Sequence, residues 1–121
     1  MKIKDDIVLE IVKCDILDQQ VDAIVNPVDP ELSFQEGLSR NTMSKAGQAL
    51  QQEINFKKNQ LNNRTLEVCS TFCTKGSGLK AKNIIHMVTP MHYSFDTPQF
   101  NHQLIEICVI NALQLAMHNN A

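Results

Sequence analysis

Polar side chains directly follow two consecutive predicted strands, where they could do chemistry together. Asp15 follows the first strand, Asn26 follows the second, and Asp29 lies three residues further on. In open α/β sheets, ligands bind in the crevice beyond the carboxyl ends of the strands. The carboxylate of Asp15 could accept a hydrogen bond from an exocyclic amine, and Asn26 with Asp29 could hold sugar hydroxyls. A capped turn at Asp15 and a proline-ordered turn at residues 26–29 explain the same residues without a ligand.

A glycine at a predicted helix start is a second candidate contact. Gly37 and Leu38 open the long helix, and free N–H groups at a helix N-terminus can bind a phosphate. A plain loop-to-helix junction is the alternative. The glycines at positions 76 and 78 do not form a phosphate loop, because the GxxxxGK[ST] pattern is absent and a strand follows them.

No pattern in the chain is typical of a catalytic or metal centre. The four cysteines are scattered without a CxxC pair, so we expect core thiols, no disulfide, and a reducing intracellular compartment. The histidines have no ligand spacing, and we expect His86 to be a core or supporting residue. We therefore predict no catalytic residue, no metal and no cofactor.

Length and charge limit the possible partners. At 121 residues the chain is expected to form a single domain spanning residues 1–121. The net charge of −2 provides no general attraction to nucleic acid or to an anionic membrane. No apolar run approaches the ~18 residues of a membrane span. We expect neither nucleic-acid binding nor membrane binding.

The hydrophobic pattern predicts strands that alternate with helices. We expect strands at residues 7–13, 23–25, 66–74 and 83–88, a helix from Leu38 to about residue 61 with a weak point at Gly47, and a last helix beginning at Thr97-Pro98. The second strand is apolar throughout, so we expect it to be central and to end at Pro27. This order predicts an α/β layered domain with a mixed or mainly parallel sheet.

Taken together, these segments resemble a macro domain, the ADP-ribose-binding α/β module. The run Cys14-Asp15-Ile16 followed by residues 21–26 matches the family's Gly-Asp-Ile and Val-Asp-Ala-Ile-Val-Asn. Gly37-Leu38 and Lys45-Ala46-Gly47 match a later run, and a third block at residues 74–90 matches through Leu79, Ile84, Ile85, His86, Val88 and Pro90. The similarity covers nearly the whole chain. It is closest to the tandem macro domains of animal ADP-ribosyltransferases of the poly(ADP-ribose) polymerase kind.

The resemblance implies a three-layer α/β/α fold and a role for each site residue. Asp15 would accept a hydrogen bond from the adenine amine, and the Ile16 backbone would contact the adenine ring. Asn26 would lie beside the distal ribose. Backbone N–H groups at Gly37 and Leu38 would bind the pyrophosphate. The implied ligand is ADP-ribose, free or as mono-ADP-ribosylated protein.

Departures from the family pattern predict weakened binding. Asp29 replaces a usual asparagine, and a carboxylate about 7 Å from a phosphate costs roughly 1–2 kcal/mol. Gln35 and Glu36 replace glycines, and Ser39 replaces the aspartate of the hydrolytic branch. The chain ends after the last helix, so we expect a domain truncated after the fourth strand and following helix, with an unpaired strand and an uncovered apolar face.

Three functions remain open from the sequence. The leading hypothesis is a degenerate ADP-ribose-binding module with weak or lost affinity. The first alternative is a hydrolase that removes ADP-ribose from protein, for which only Asp29 and Asn26 could activate a water. The second alternative is a protein-interaction module that self-associates through an exposed sheet edge.

Overall fold

A three-stranded mixed sheet forms the centre of the protein, seen in a computed structural model that describes residues 2–4, 7–89 and 98–118. The elements in chain order are β1 (Lys2–Lys4), β2 (Ile7–Val8), a 3-10 helix (Ile16–Asp18), β3 (Ala23–Val28), α1 (Gly37–Ala46), α2 (Gln48–Leu61), β4 (Thr71–Lys75), β5 (Asn83–Val88) and α3 (Pro98–His118). The strand order in the sheet is β3-β5-β4, with β3 parallel and β4 antiparallel to β5. The predicted mixed α/β architecture is confirmed.

Helices cover both faces of the central strand β5. Ile84 and Ile85 are consecutive and therefore point to opposite faces, yet both are buried. Ile84 belongs to the main core with Leu50 and Ile54 of α2, whereas α3 packs against β5 and β4. A fully buried Leu or Ile contributes about 1.5–3 kcal/mol, so this core stabilises the layered arrangement.

Two predictions for β3 are wrong. It lies at an edge of the described sheet rather than at its centre, and it continues through Pro27 to Val28. The backbone carbonyls of Asp22 and Val28 accept hydrogen bonds from backbone N–H groups at the two ends of β5. The backbone N–H and C=O groups of the even-numbered residues of β3 therefore point toward β5, and those of the odd-numbered residues point away from it. Pro27 therefore faces the outer edge, where its missing N–H removes no ladder bond.

Backbone conformation shifts three other predicted boundaries. Gly47 adopts φ 90° and ψ −161°, which splits the predicted long helix into α1 and α2. Cys69 has φ 69°, and β4 begins only at Thr71. Within the predicted first strand, β2 covers Ile7–Val8. The bounds of β5 and the start of α3 at Pro98 are as predicted, whereas the expected cap at Thr97 lies outside the described residues.

The cysteines differ from the expectation of free thiols. Cys69 and Cys108 form a disulfide, while Cys14 is exposed and free and Cys73 is half-buried and free. The disulfide joins the segment before β4 to α3. None of the helices in the described residues combines the length and apolar character that crossing a membrane requires.

Candidate functional site

A cavity of about 310 Å³ lies at the carboxyl ends of the parallel strands β3 and β5. The register pairs Val28 with Val88, so the residues that follow them, Asp29 and Thr89, emerge at the same edge of the sheet. The backbone N–H of Thr89 donates to the carbonyl of Val28 at 3.2 Å. The cavity is lined by Pro27, Val28, Asp29, Ser33, Gln35, Glu36, Ser39 and Thr89.

The loop between β3 and α1 is shaped by two buried anchors. Leu32 and Phe34 have positive φ values of 57° and 53°, a conformation that costs a non-glycine residue roughly 1–2 kcal/mol. Both side chains are buried in the core, which offsets this cost. Because the anchors alternate with Ser33 and Gln35, those two polar residues face outward and line the cavity.

Asp29 is an ionised acceptor within this loop. One of its carboxylate oxygens accepts a hydrogen bond from the backbone N–H of Ser33 at 3.0 Å. Partial burial acts to raise the pKa of Asp29, but several hydrogen bonds, the largest of them from Ser33, together outweigh burial and the pKa is lowered. Asp29 therefore presents a negative charge to the cavity.

The start of α1 forms the opposite side of the cavity. Glu36 precedes the helix and makes no side-chain cap, while the Ser39 hydroxyl donates to the Glu36 carbonyl at 2.8 Å. Gly37 has φ +60°, and a Cβ added to it would meet nothing within 4 Å, so it supplies an open backbone turn. Gly37 and Leu38 do not line the cavity, although their neighbours in the chain, Glu36 and Ser39, do.

A chain of buried hydrogen bonds lies beneath the cavity. The Asn26 amide nitrogen is 3.1 Å from Nδ1 of His86, and Nε2 of His86 is 2.9 Å from the Thr74 hydroxyl. Because an amide nitrogen only donates, Nδ1 accepts and the ring proton lies on Nε2, which donates to Thr74. The Thr74 hydroxyl in turn donates to the Lys75 carbonyl at 3.2 Å.

His86 is held neutral by its surroundings. Its ring stacks on Phe72 with centroids 4.7 Å apart and meets Phe34 edge-on at 5.7 Å. Burial lowers the pKa of His86 from 6.5 to about 4. The histidine is thus a neutral bridge between β3 and β4, in agreement with the supporting role expected from the sequence.

The ligand contact of Asn26 stays a prediction. In this structure Asn26 is 0% exposed. Its amide nitrogen is bonded to His86, and the Thr42 hydroxyl of α1 lies 3.3 Å from its oxygen. The structure places Asn26 beneath the cavity, where it holds β3, β5 and α1 together.

Asp15 and Ile16 are exposed and lie outside the cavity. Asp15 caps the 3-10 helix, because its Oδ1 accepts from the backbone N–H of Leu17 at 3.0 Å. An ion pair between Asp18 and Lys45 ties that helix to the C-terminal end of α1. The capping interpretation of Asp15 is confirmed, and its second carboxylate oxygen is not used in this cap.

Of the predicted site residues, Asp29 alone lines the cavity, and the sequence analysis missed Ser33 and Thr89. The signal for Thr89 was present, because it directly follows a predicted strand just as Asn26 was thought to do. No feature of the sequence marked Ser33 as a site residue, because its exposure depends on the positive φ values of Leu32 and Phe34. Within the described residues, no group of three or more His, Cys, Asp or Glu side chains could hold a metal ion.

A larger cavity of about 630 Å³ lies between α2 and β4, away from the carboxyl end of β3. Its lining includes Phe56, Phe72 and Lys57, whose Nζ lies 5.1 Å from the Phe72 ring centroid. Size alone favours this cavity as a binding site. We favour the smaller one, because it combines the carboxyl ends of parallel strands with a helix start.

Comparison with known proteins gives a family match and several similar solved structures. The family model described as Macro domain matches residues 25–121. The Oceanobacillus iheyensis macrodomain with ADP is 28% identical, with a TM-score of 0.77 over 88% of this chain and 56% of that chain. A variant of that macrodomain with ADPR is also 28% identical, with a TM-score of 0.76 over 88% and 57% of the two chains. The macro domain of ganglioside induced differentiation associated protein 2 is 28% identical, with a TM-score of 0.68 over 81% and 45%. The chain thus spans about half the length of these solved domains.

Proposed function

Because the chain belongs to the macro domain family, we propose that its cavity at the carboxyl ends of β3 and β5 binds ADP-ribose weakly, either free or attached to protein. The observation that carries the proposal is the position of this cavity between the two strand ends and the start of α1. Similar domains solved with ADP and with ADPR support the ligand class.

The polar groups around the cavity suit a nucleotide sugar. Asp29 and the hydroxyls of Ser33 and Thr89 offer hydrogen bonds to a ribose, and the turn at Gly37 leads into helical N–H groups that favour a phosphate. Asp15 lies outside the cavity. The carboxylate oxygen of Asp15 that does not take part in the helix cap is the proposed acceptor for the adenine amine.

Charge opposes this binding. Asp29 and Glu36 both line the cavity, and each repels a diphosphate. The first turn of α1 contains no acidic residue. The negative charge at the cavity therefore comes from Asp29 and Glu36 in the loop before the helix. We therefore propose a dissociation constant above roughly 100 μM, equivalent to a binding free energy of less than about 5.5 kcal/mol in magnitude.

Calorimetry with ADP-ribose tests the proposal directly. We expect weak binding by the unmodified chain and loss of that binding in Asp15→Ala. Asp22→Ala is the matched control, because Asp22 is an exposed carboxylate that pairs with Lys82 at the opposite end of β3. A low-micromolar dissociation constant would contradict weak binding. No heat at millimolar ADP-ribose would contradict binding itself.

The geometry favours binding over hydrolysis. Asn26 is buried, so it does not reach a water in the cavity. The lowered pKa of Asp29 makes its carboxylate a weaker base. Release of ADP-ribose from a modified protein, lost in Asp29→Ala, would revive the hydrolase alternative.

We further propose that the chain self-associates through the outer edge of β3 and the outer face of α3. Backbone groups of Ala23 and Val25 face that edge, by the same alternation that places Pro27 there. The exposed apolar side chains of α3 are Ile105, Ile107, Val109, Ile110, Leu113 and Met117. Exposed apolar side chains in this number on one helix mark an interaction surface, so association would cover them.

Two finer features of the sequence analysis are also proposals. They are the similarity to tandem macro domains of the poly(ADP-ribose) polymerase kind and an intracellular location. The sequence support for the first is the ordered set of matches from Cys14 to Pro90.

A further inference from the structure

We propose that Cys69 and Cys108 are a reversible redox site whose disulfide controls how firmly α3 is held on the sheet. The proposal does not depend on ADP-ribose binding. It concerns a covalent contact that joins residues 39 positions apart in the sequence.

The two cysteines are placed for pairing by the fold. Their Cα atoms are 4.4 Å apart, within the range that a disulfide spans, and both side chains are buried. The backbone N–H of Cys69 donates to the carbonyl of Val88 at 2.7 Å, which fixes Cys69 against the end of β5. Cys69 is therefore a rigid anchor on the sheet side.

Two separate tethers run from α3 to this anchor. Cys108 provides the covalent one, and the side-chain amide of Asn111 donates to the Cys69 carbonyl at 2.8 Å. Both groups lie on one face of α3, about one turn apart. Reduction removes the covalent tether. The hydrogen bond from Asn111 remains, and the sulfur atoms of Cys69 and Cys108 lie 3.1 Å and 3.7 Å from the carbonyl oxygens of Leu104 and Val88.

The fully buried side chains of α3 are small. In the part of α3 whose burial is described, residues 103–118, only Cys108 and Ala112 are fully buried. Both are small, so they remove little apolar area from water compared with a Leu or Ile. In the chain-entropy model, a cross-link that closes a loop of this length shifts the folding equilibrium on the order of several hundredfold. The disulfide therefore supplies a large share of what holds α3.

The oxidant that converts the two cysteine thiols to a disulfide is a small disulfide of the glutathione type. A thiolate of one cysteine attacks that disulfide and releases one thiol, and the second cysteine attacks the mixed disulfide and releases another. Two protein thiols and one small disulfide thus give one protein disulfide and two small thiols. Because both sulfur atoms are buried, exchange requires α3 to lift from the sheet.

Mass spectrometry of the full chain tests the pairing. We expect oxidised glutathione to yield a linked peptide pair containing Cys69 and Cys108, and to leave Cys14 and Cys73 outside this pair, each as a free thiol or as a mixed disulfide with glutathione. A dithiol reductant should restore all four thiols. A different pairing, or four free thiols after oxidation, would overturn the proposal.

Hydrogen exchange tests the consequence for α3. In the oxidised chain we expect amides of α3 to exchange at least about tenfold more slowly than in the reduced chain, with α2 unchanged. The double variant Cys69→Ser with Cys108→Ser should exchange like the reduced chain under both conditions. Cys14→Ser with Cys73→Ser is the matched control and should keep the redox response. Equal protection of α3 in the oxidised and reduced unmodified chain would refute the proposal without reliance on any variant.

Discussion

The side-chain amide nitrogen of Asn26 lies 3.1 Å from Nδ1 of His86, and the two residues are register partners on parallel strands β3 and β5. The contact sits two residues before Val28, close to where the lining of the candidate cavity begins. Through Thr74 the same chain of bonds reaches β4, so one buried network crosses the whole sheet. The position of the cavity depends on this network, and it provides the first prediction.

Asn26→Ala should destabilise the protein by about 2–3 kcal/mol, because it leaves Nδ1 of buried His86 without a partner. Asn41→Ala is the matched control, since Asn41 is exposed on α1 and should change stability by less than about 0.5 kcal/mol. Urea unfolding measures both values. Equal effects for the two variants would show that the network contributes little.

Stability should decrease on acidification through His86. The pKa of His86 is lowered from 6.5 to about 4 in the folded protein. Between these values the unfolded chain binds a proton that the folded chain does not, so the free energy of unfolding falls as pH falls through this window. The full contribution is about 3 kcal/mol. Below the folded pKa this dependence ends.

Urea unfolding at several pH values between 7.5 and 4 measures this dependence. Because carboxylates also titrate in acid, the informative quantity is the difference between the unmodified chain and His86→Gln, which retains hydrogen-bonding groups but does not titrate. His118→Asn, at an exposed position of α3, should keep the full slope. An unchanged slope in His86→Gln would contradict the prediction.

Glu36→Gln should strengthen ADP-ribose binding about three- to tenfold, because it removes a negative charge from the cavity lining. Glu106→Gln removes the same charge from the exposed surface of α3 and should leave the affinity unchanged. Calorimetry at constant ionic strength gives both values. A weaker or unchanged affinity in Glu36→Gln would mean that the diphosphate does not approach this residue.

Gly76→Ala should destabilise the protein by about 3 kcal/mol or more, because a Cβ at this position overlaps the backbone carbonyl of Ala81. Gly37→Ala is an instructive comparison. A Cβ there meets nothing, so only its positive φ is penalised, at about 1 kcal/mol. Thermal or urea unfolding ranks the two variants, and the reverse order would contradict the close approach at Gly76.

Leu113→Lys should reduce self-association at least about tenfold, because it places a charge within the exposed apolar face of α3. Gln114→Lys changes the neighbouring exposed residue from a neutral polar one and serves as the control. Sedimentation velocity over a range of concentrations reports the oligomeric state. A monomer at every concentration of the unmodified chain would contradict association through this face.

Elements defined by local pattern were well predicted from sequence. The short apolar run of β5 and the proline at the start of α3 act within a few residues, and both boundaries are correct. Errors occurred where backbone conformation broke the pattern. Gly47 divided a continuous helical periodicity, and Pro27 was taken as a stop although it lies on an edge where no N–H is needed.

The sequence by itself determined the fold class and the family, because hydrophobic periodicity and an ordered set of short matches are properties of the chain alone. Only the tertiary structure decided which polar residues meet. Asn26 turned inward because the register of β3 on β5 sets it beside His86, 60 residues away, and Cys69 met Cys108 because α3 returns across the sheet. Such pairings depend on strand register and helix placement. Both result from many weak contacts acting together, so no local stretch of sequence encodes them.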